Sequence, residues 1–158
     1  MIRNARMGDI NKIHKLLQHY ADKDLLLGRS LSSLYDQLRD FSVYAEKDEE
    51  NQDREMLVGV CALHICWENL AEIRSLAVID EYHGKGVGRQ LIDKALSEAD
   101  FYGISRVFTL TYQPDFFRKI GFKDIDKSEL PHKVWSDCIN CSKFPDCNEE
   151  ALIWEKST

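Results

Sequence analysis

Apolar side chains recur along the chain with two spacings, and each spacing predicts one type of element. Apolar residues every three or four positions predict an amphipathic helix over 10–20, with Asp9 as its N-cap, and another over 87–99. Alternating or unbroken apolar runs predict the central strands, which cover 41–46, 57–67 and 71–78.

Shorter signals complete the pattern. Ser30 or Ser32 is a suitable N-cap for a helix that follows the first one. Pro114 and Gly121 mark the start and the end of a short helix near the C-terminal third of the chain. The polar run 46–55 predicts an exposed hairpin loop. Further strands are predicted over 2–6, 106–112, 122–125 and 150–156.

The predicted order is β-α-α-β-β-β-α-β-α-β-β. Consecutive strands near the N-terminus favour antiparallel pairing, and the β-α-β unit after residue 71 favours one parallel pair. We therefore expect an α+β (mixed α/β) fold, with a mixed sheet of six to seven strands and helices on both faces. One domain spans 1–158, with a cysteine-containing connection over 127–149 before the last strand.

Composition narrows the class of protein. The 158 residues are 44% hydrophobic and 30% charged, which is ordinary for a soluble globular protein. A net charge of −6 argues against nucleic acid as a general partner. Apolar runs are too short to cross a membrane, and no secretory signal is visible. Five cysteines without such a signal favour a reducing cytoplasm.

The stretch EYHGKGVGRQL (81–91) raises the question of a phosphate site, because three glycines stand where a helix begins. A P-loop would need GxxxxGK[ST], and a dinucleotide fingerprint would need glycine where Arg89 stands. The remaining interpretations are a bare strand-to-helix turn, or a turn whose backbone N–H groups hold an anion. Lys85 and Arg89 would add positive charge beside that anion.

Two motifs carry a resemblance to a known family. The first is His83-x-x-Gly86-x-Gly88, preceded by the strand Leu76-Ala77-Val78, and the second is FFRKIGF over 116–122. Together they resemble the GNAT family of N-acetyltransferases over nearly the whole chain. The resemblance implies acetyl-CoA as cosubstrate, bound by Leu76, Ala77, Val78, His83, Gly84, Lys85, Gly86, Val87, Gly88, Arg89 and Phe117.

The resemblance also assigns roles within that set. The pyrophosphate would sit on the amides of His83 to Gly88, and Leu76 and Val78 would pair with pantetheine where the strand splays from its neighbour. Two residues depart from the family pattern. His83 replaces the usual Gln or Arg, and Phe117 replaces a tyrosine that protonates the departing thiolate. Tyr112 is a candidate substitute for that proton donor.

Acyl transfer to an amine needs a base, an oxyanion donor and alignment of the two substrates. Glu72 stands where the family often places a base, although a surface carboxylate at a strand end is the alternative. The backbone N–H of Leu76 is the expected oxyanion donor. His64 is a weaker candidate base, because a histidine on an apolar strand is more often a satisfied core residue.

A closer resemblance bears on the acceptor. The segments at 25–41, 71–78 and 105–122 look like the acetyltransferase domain of N-acetylglutamate synthases, especially short stand-alone bacterial forms. That resemblance makes Arg29, of the pair Arg29-Ser30, a ligand for a glutamate carboxylate, and Arg74 is a second candidate. Either arginine could instead be a solvated or salt-bridged surface residue.

The sequence is compatible with several acceptor amines. The longer synthases have an arginine near the position of Tyr112, so the second carboxylate could be held differently here. The alternatives are another small amino acid, a polyamine, a protein N-terminus, or a catalytically silent acetyl-CoA sensor. The sequence is also compatible with a homodimer.

The spacing Cys138-x2-Cys141-x5-Cys147 resembles the start of a zinc site, with His132 or Asp146 as a fourth ligand. No second C-x2-C pair is present, so reduced thiols packed in the connection are the alternative. The expected chemistry needs no metal.

Overall fold

A mixed seven-stranded sheet forms the centre of the chain, in the order β1-β2-β3-β4-β5-β7-β6. The computed structural model describes residues 1–51, 53–131, 134 and 149–157. The strands are β1 (Ile2–Asn4), β2 (Phe41–Lys47), β3 (Glu55–Trp67), β4 (Leu70–Val78), β5 (Arg106–Thr111), β6 (Lys123–Asp124) and β7 (Glu150–Glu155). The helices are α1 (Ile10–Ala21), α2 (Leu31–Asp36), α3 (Val87–Phe101) and α4 (Pro114–Ile120).

The order of strands and helices agrees with the sequence prediction, and the mixed α+β fold class is confirmed. The β4–β5 pair is parallel, and every other pair among the described residues is antiparallel. None of the helices in the described ranges is long and apolar enough to span a membrane.

The two faces of the sheet bury different helices. Leu91 and Ile92 of α3 are fully buried against one face. Ile13 and Leu17 of α1 are fully buried against the other face. The amphipathic spacing of both helices therefore has a direct structural cause, which is the removal of one apolar stripe from water.

Helix capping agrees with the prediction at one end and departs from it at another. The Ser30 hydroxyl accepts a hydrogen bond from the Ser33 amide at 3.1 Å and caps α2. Asp9 does not cap α1. Its carboxylate instead accepts hydrogen bonds from the Arg6 amide at 2.7 Å and from the Arg3 guanidinium at 2.8 and 3.0 Å. The predicted cap is wrong because a cation from β1 reaches the carboxylate.

The parallel pair opens into a V. Ladder pairing joins β4 to β5 only from Ala71–Val107 to Ile73–Thr109, although β4 continues to Val78. The Thr109 hydroxyl donates to the Ile73 carbonyl oxygen at 3.0 Å at the last pair. Beyond that point the β5 side of β4 has no strand neighbour among the described residues, as the family resemblance implies.

A bulge re-aims the second half of β4. The pairing with β3 skips between Val60 and Ala62, and Ser75, opposite this irregularity, adopts a φ of +54°. A left-handed conformation is unfavourable for serine and accompanies bulges that redirect side chains. Ile73 and Leu76, three positions apart, consequently both pack toward α3.

Candidate functional site

The V between β4 and β5 opens into a cleft of about 1020 Å³. Its floor is β4 from Glu72 to Val78. One end is the turn that precedes α3, and the other end is lined by Arg29 of the α1–α2 connection. A ligand could therefore lie along β4 and touch residues that are far apart in the sequence.

The glycine turn meets the cleft at the start of α3. Gly84 and Gly86 have φ values of +77° and +82°, a region that only glycine adopts at low cost. A Cβ at either position would have no heavy atom within 4 Å, so the backbone here borders open space. Exposed amides at the start of a helix form a favourable anion site.

The turn begins one residue later than the motif implies. The His83 amide donates to the Asp80 carbonyl oxygen at 3.1 Å, inside a short 3-10 turn over Asp80–Tyr82. We therefore limit the predicted anion site, called the anion cradle, to the amides that follow His83.

The motif residues around the turn divide into two groups. Gly84, Gly86, Val87, Gly88 and Arg89 line the cleft. Lys85 does not belong to the described lining, and its Nζ lies 5.0 Å from the centre of the Tyr82 ring. The contact of Lys85 with the coenzyme stays a prediction.

The FFRKIGF motif closes the cleft from the β5 side. A Cβ on Gly88 would lie 3.1 Å from Cζ of Phe116, so glycine permits α3 and α4 to approach closely. Phe117 lines the cleft but is 4% exposed, with its ring packed edge-on against Phe122 at 5.2 Å. A phenyl ring in this position contributes packing and no proton.

The His83 imidazole turns toward the end of β4. Its Nε2 lies 2.7 Å from the Val78 carbonyl oxygen, which also accepts the Tyr20 hydroxyl. The Tyr20 hydroxyl has a single proton and also lies 2.7 Å from Oδ1 of Asp80, so the pairing of Val78 with pantetheine stays a prediction. The sequence does not indicate the contacts of Tyr20 and Asp80 with His83, because the helical spacing of Tyr20 marks it only as a core residue.

Glu72 lies on the floor of the cleft and is 6% exposed. The Arg74 Nε donates to its Oε1 at 2.5 Å. Arg74 immediately precedes Ser75, where the pairing of β4 with β3 is irregular. His64, the weaker candidate base, has its Nδ1 2.8 Å from Oδ2 of Asp40 and is outside the described lining.

Arg29 reaches the cleft from the α1–α2 connection. Its guanidinium donates to the Ser33 hydroxyl at 2.7 and 3.2 Å and to the Gln37 side-chain oxygen, and it lies 5.3 Å from the centre of the Phe41 ring. These partners are uncharged. Within the described ranges Arg29 makes no ion pair. Ser30 caps α2 and does not line the cleft.

Burial and the neighbouring Arg74 lower the pKa of Arg29, against the opposite effect of Asp40 and Glu72. Two cations and a buried carboxylate thus share one end of the cleft. A guanidinium with neutral partners and a cationic neighbour is suited to bind an anionic group.

Three residues that precede β7 in the chain also line the cleft, namely Lys127, Val134 and Glu149. Glu72 pairs in register with Phe108 of β5, and Tyr112, which follows the last residue of β5, lines the cleft too. Phe108 and Val134 belong to one buried apolar cluster.

Comparison with known proteins agrees with this geometry. A family model described as the acetyltransferase (GNAT) family matches residues 10–122. The chain belongs to this family. It is 38% identical over 152 residues to an uncharacterised N-acetyltransferase of Chlorobaculum tepidum, a match that covers 96% of this chain and 94% of the relative. It is 34% identical over 137 residues to an amino-acid acetyltransferase of Mycobacterium tuberculosis, with 87% and 76% coverage.

Solved structures of GNAT proteins have the same architecture. A Mycobacterium tuberculosis protein in complex with CoA and NLQ superposes with a TM-score of 0.83 at 29% identity, over 99% of both chains. N-acetylglutamate synthase from Neisseria gonorrhoeae, complexed with coenzyme A and N-acetyl-glutamate, gives a TM-score of 0.83 at 27% identity, and the match covers 35% of that chain. The family and fold that the motifs predicted are confirmed.

This GNAT enzyme is therefore an acetyltransferase that uses acetyl-CoA. The splayed strands and the open glycine turn fit that coenzyme. The described residues hold no group of three or more His, Cys, Asp or Glu side chains placed to bind a metal. Cys138, Cys141 and Cys147, with His132 and Asp146, lie outside the described residues.

Proposed function

We propose that this chain transfers the acetyl group of acetyl-CoA to the α-amino group of L-glutamate, by direct transfer in a ternary complex. That reaction is the first step of arginine biosynthesis. The supporting observation is Arg29, a guanidinium on the cleft wall whose described partners are all uncharged.

The distribution of charge supports a dicarboxylic amino acid. We call the end of the cleft that Arg29 lines the acceptor end. It holds three cations, from Arg29, Arg74 and Lys127, and two anions, from Glu72 and Glu149. A zwitterion with a second carboxylate has two anionic groups and one ammonium. A polyamine would place further positive charge beside the arginines, so the cleft disfavours it.

The named relatives point the same way. Amino-acid acetyltransferase is the name of the Mycobacterium tuberculosis relative and of a Neisseria meningitidis relative that is 33% identical over 132 residues. The latter match covers only 29% of the relative. The Neisseria gonorrhoeae synthase was solved with N-acetyl-glutamate and also with L-arginine.

Each chain group has a defined task in this reaction. Acetyl-CoA supplies an activated acetyl thioester. Glu72 takes a proton from the acceptor ammonium, directly or through water. The Leu76 amide, aimed by the bulge at Ser75, donates to the oxygen that develops negative charge. Tyr112 is the proton donor proposed for the departing thiolate, since Phe117 has no proton to give.

Arg29→Ala tests the carboxylate role. Loss of a charge-assisted, bidentate contact should raise the glutamate KM about tenfold to a hundredfold. CoA affinity, measured by calorimetric titration, should change less than about twofold, because Arg29 lies at the other end of the cleft.

Arg29→Lys is the matched variant. It keeps the charge and loses the planar fork, so its glutamate KM should lie between those of wild type and Arg29→Ala. A glutamate KM unchanged in both variants would contradict the proposed role.

A further inference from the structure

A hydrogen-bonded cluster at the end of β4 links α1 to the glycine turn. The Tyr20 hydroxyl contacts the Val78 carbonyl oxygen, Oδ1 of Asp80 at 2.7 Å and Nε2 of His83 at 3.1 Å. Tyr20 is 6% exposed, and 58 to 63 positions separate it from these partners. The acetyl-transfer chemistry assigns no task to this cluster.

The position of the proton on the His83 ring follows from the hydrogen-bond acceptors around it. Val78 offers a carbonyl oxygen, so the His83 Nε2 at 2.7 Å carries a proton, an assignment that rests on the hydrogen-bond network. The Tyr20 and His83 rings stack at 6.1 Å with an interplanar angle of 21°. Burial, followed by the Asp80 carboxylate, raises the pKa of Tyr20, so its hydroxyl keeps its one proton for Asp80 or Val78, and its oxygen accepts from the His83 Nε2–H.

His83 is the residue immediately before the anion cradle. After it come Gly84 and Gly86, which have no side chains and border open space. Glycine loses more backbone freedom on ordering than any other residue, so such a turn binds best when it is held in place beforehand. The imidazole of His83, fixed by Tyr20 and Val78, anchors the N-terminal side of this turn.

We propose that Tyr20 is a positioning residue for the coenzyme: its hydroxyl holds His83 against the end of β4 and thereby fixes the amides that receive the pyrophosphate. The acceptor plays no part in this role. Failure of glutamate as acceptor would therefore leave this proposal standing, and the reverse also holds.

Calorimetric titration of CoA into Tyr20→Phe, His83→Ala and the double variant tests the proposal. Tyr20→Phe should weaken CoA binding about fivefold to tenfold, the usual worth of one hydrogen bond. In the His83→Ala background the same change should alter affinity less than about twofold, because Tyr20 acts through His83. Tyr35→Phe, at an exposed tyrosine on α2, is the control.

A second readout separates positioning from general loosening of the fold. S-acetylpantetheine lacks the pyrophosphate, so the ratio of affinities for CoA and S-acetylpantetheine should fall about fivefold to tenfold in Tyr20→Phe. A merely structural role would weaken both ligands equally and leave that ratio unchanged.

Three results with the Tyr20 variants would each overturn the proposal. They are wild-type CoA affinity in Tyr20→Phe, equal losses in both His83 backgrounds, and equal losses for the two ligands. The His83 side chain is 56% exposed, so His83→Ala should fold whatever happens to the Tyr20 variants. Unchanged CoA affinity in His83→Ala alone would also contradict the proposal.

Discussion

Glu72 and Arg74 are two positions apart on β4 and share one hydrogen bond on the floor of the cleft. Alternation along a strand puts such residues on one face. The carboxylate is thereby held beside the point where β4 and β5 separate. Its place at the closed end of the V suits a group that receives a proton during acetyl transfer.

Glu72→Gln keeps the shape of the side chain and removes its basicity. If Glu72 is the base, kcat should fall by a factor of about 10² to 10⁴, while the KM for acetyl-CoA stays nearly constant. Steady-state thiol release gives both values. Glu68→Gln, at an exposed glutamate in the β3–β4 turn, should behave as wild type. A kcat within twofold of wild type in Glu72→Gln would remove Glu72 from the mechanism.

The strand-to-helix turn and the V are element-scale features, and the sequence predicted both. Glycine density located the turn before α3, and the family resemblance implied the splay. The bulge at Ser75 could not be predicted, because it depends on register against β3. The contact of Tyr20 with His83 was equally hidden, since nothing local in α1 indicates a partner 63 positions away.

Asp9 shows the same limit at a helix start. A short polar residue before an apolar run predicts an N-cap. Arg3 of β1 competes successfully for its carboxylate, because a charged bidentate partner binds more strongly than a backbone amide. Local patterns therefore predicted the elements well, and an ion pair between β1 and the start of α1 decided this detail.

Gly86→Val tests the turn. Its φ of +82° is strongly unfavourable for a β-branched residue, so the amides should leave their positions. Calorimetry should detect no CoA binding, although circular dichroism still reports a folded chain. Gly103→Val is the matched control, since Gly103 has a φ of +78° beyond the far end of α3. Normal CoA affinity in Gly86→Val would refute the cradle.

At the scale of the whole molecule, an ion pair network ties β1 to the start of β3. Arg3 bonds to Asp9 and also to Glu55 at 3.3 Å. Burial alone would raise the pKa of the Asp9 carboxyl, but hydrogen bonds from Arg3 and the Arg6 amide hold that pKa below its ordinary value of 3.8. The lowered pKa makes the network a source of stability that depends on pH.

Asp9→Asn should reduce the free energy of unfolding by about 2 kcal/mol at pH 7, as urea titration would measure. A pKa depressed by folding stabilises the protein fully above the unfolded value of 3.8, and the effect is lost as pH falls through the lower folded value. Wild type and Asp9→Asn should therefore converge below pH 3.8. Asp36→Asn, at an exposed carboxylate, should show neither effect. A pH-independent difference would refute the electrostatic explanation.

The whole cleft joins a coenzyme end at the glycine turn to an acceptor end with three cations. The alternatives to glutamate differ in charge: a polyamine is cationic, a neutral amino acid has one carboxylate, and a silent sensor has no acceptor. The acceptor end therefore distinguishes them in a single comparison.

Thiol release from acetyl-CoA, measured across all amino acids, a polyamine and a peptide N-terminus, tests the central claim most directly. Mass spectrometry identifies each acetylated product. We expect the highest kcat/KM with L-glutamate, at least about tenfold above L-glutamine, because the second carboxylate contacts a cation. A higher kcat/KM with a cationic or neutral acceptor, or CoA binding without thiol release from any amine, would contradict the proposed function.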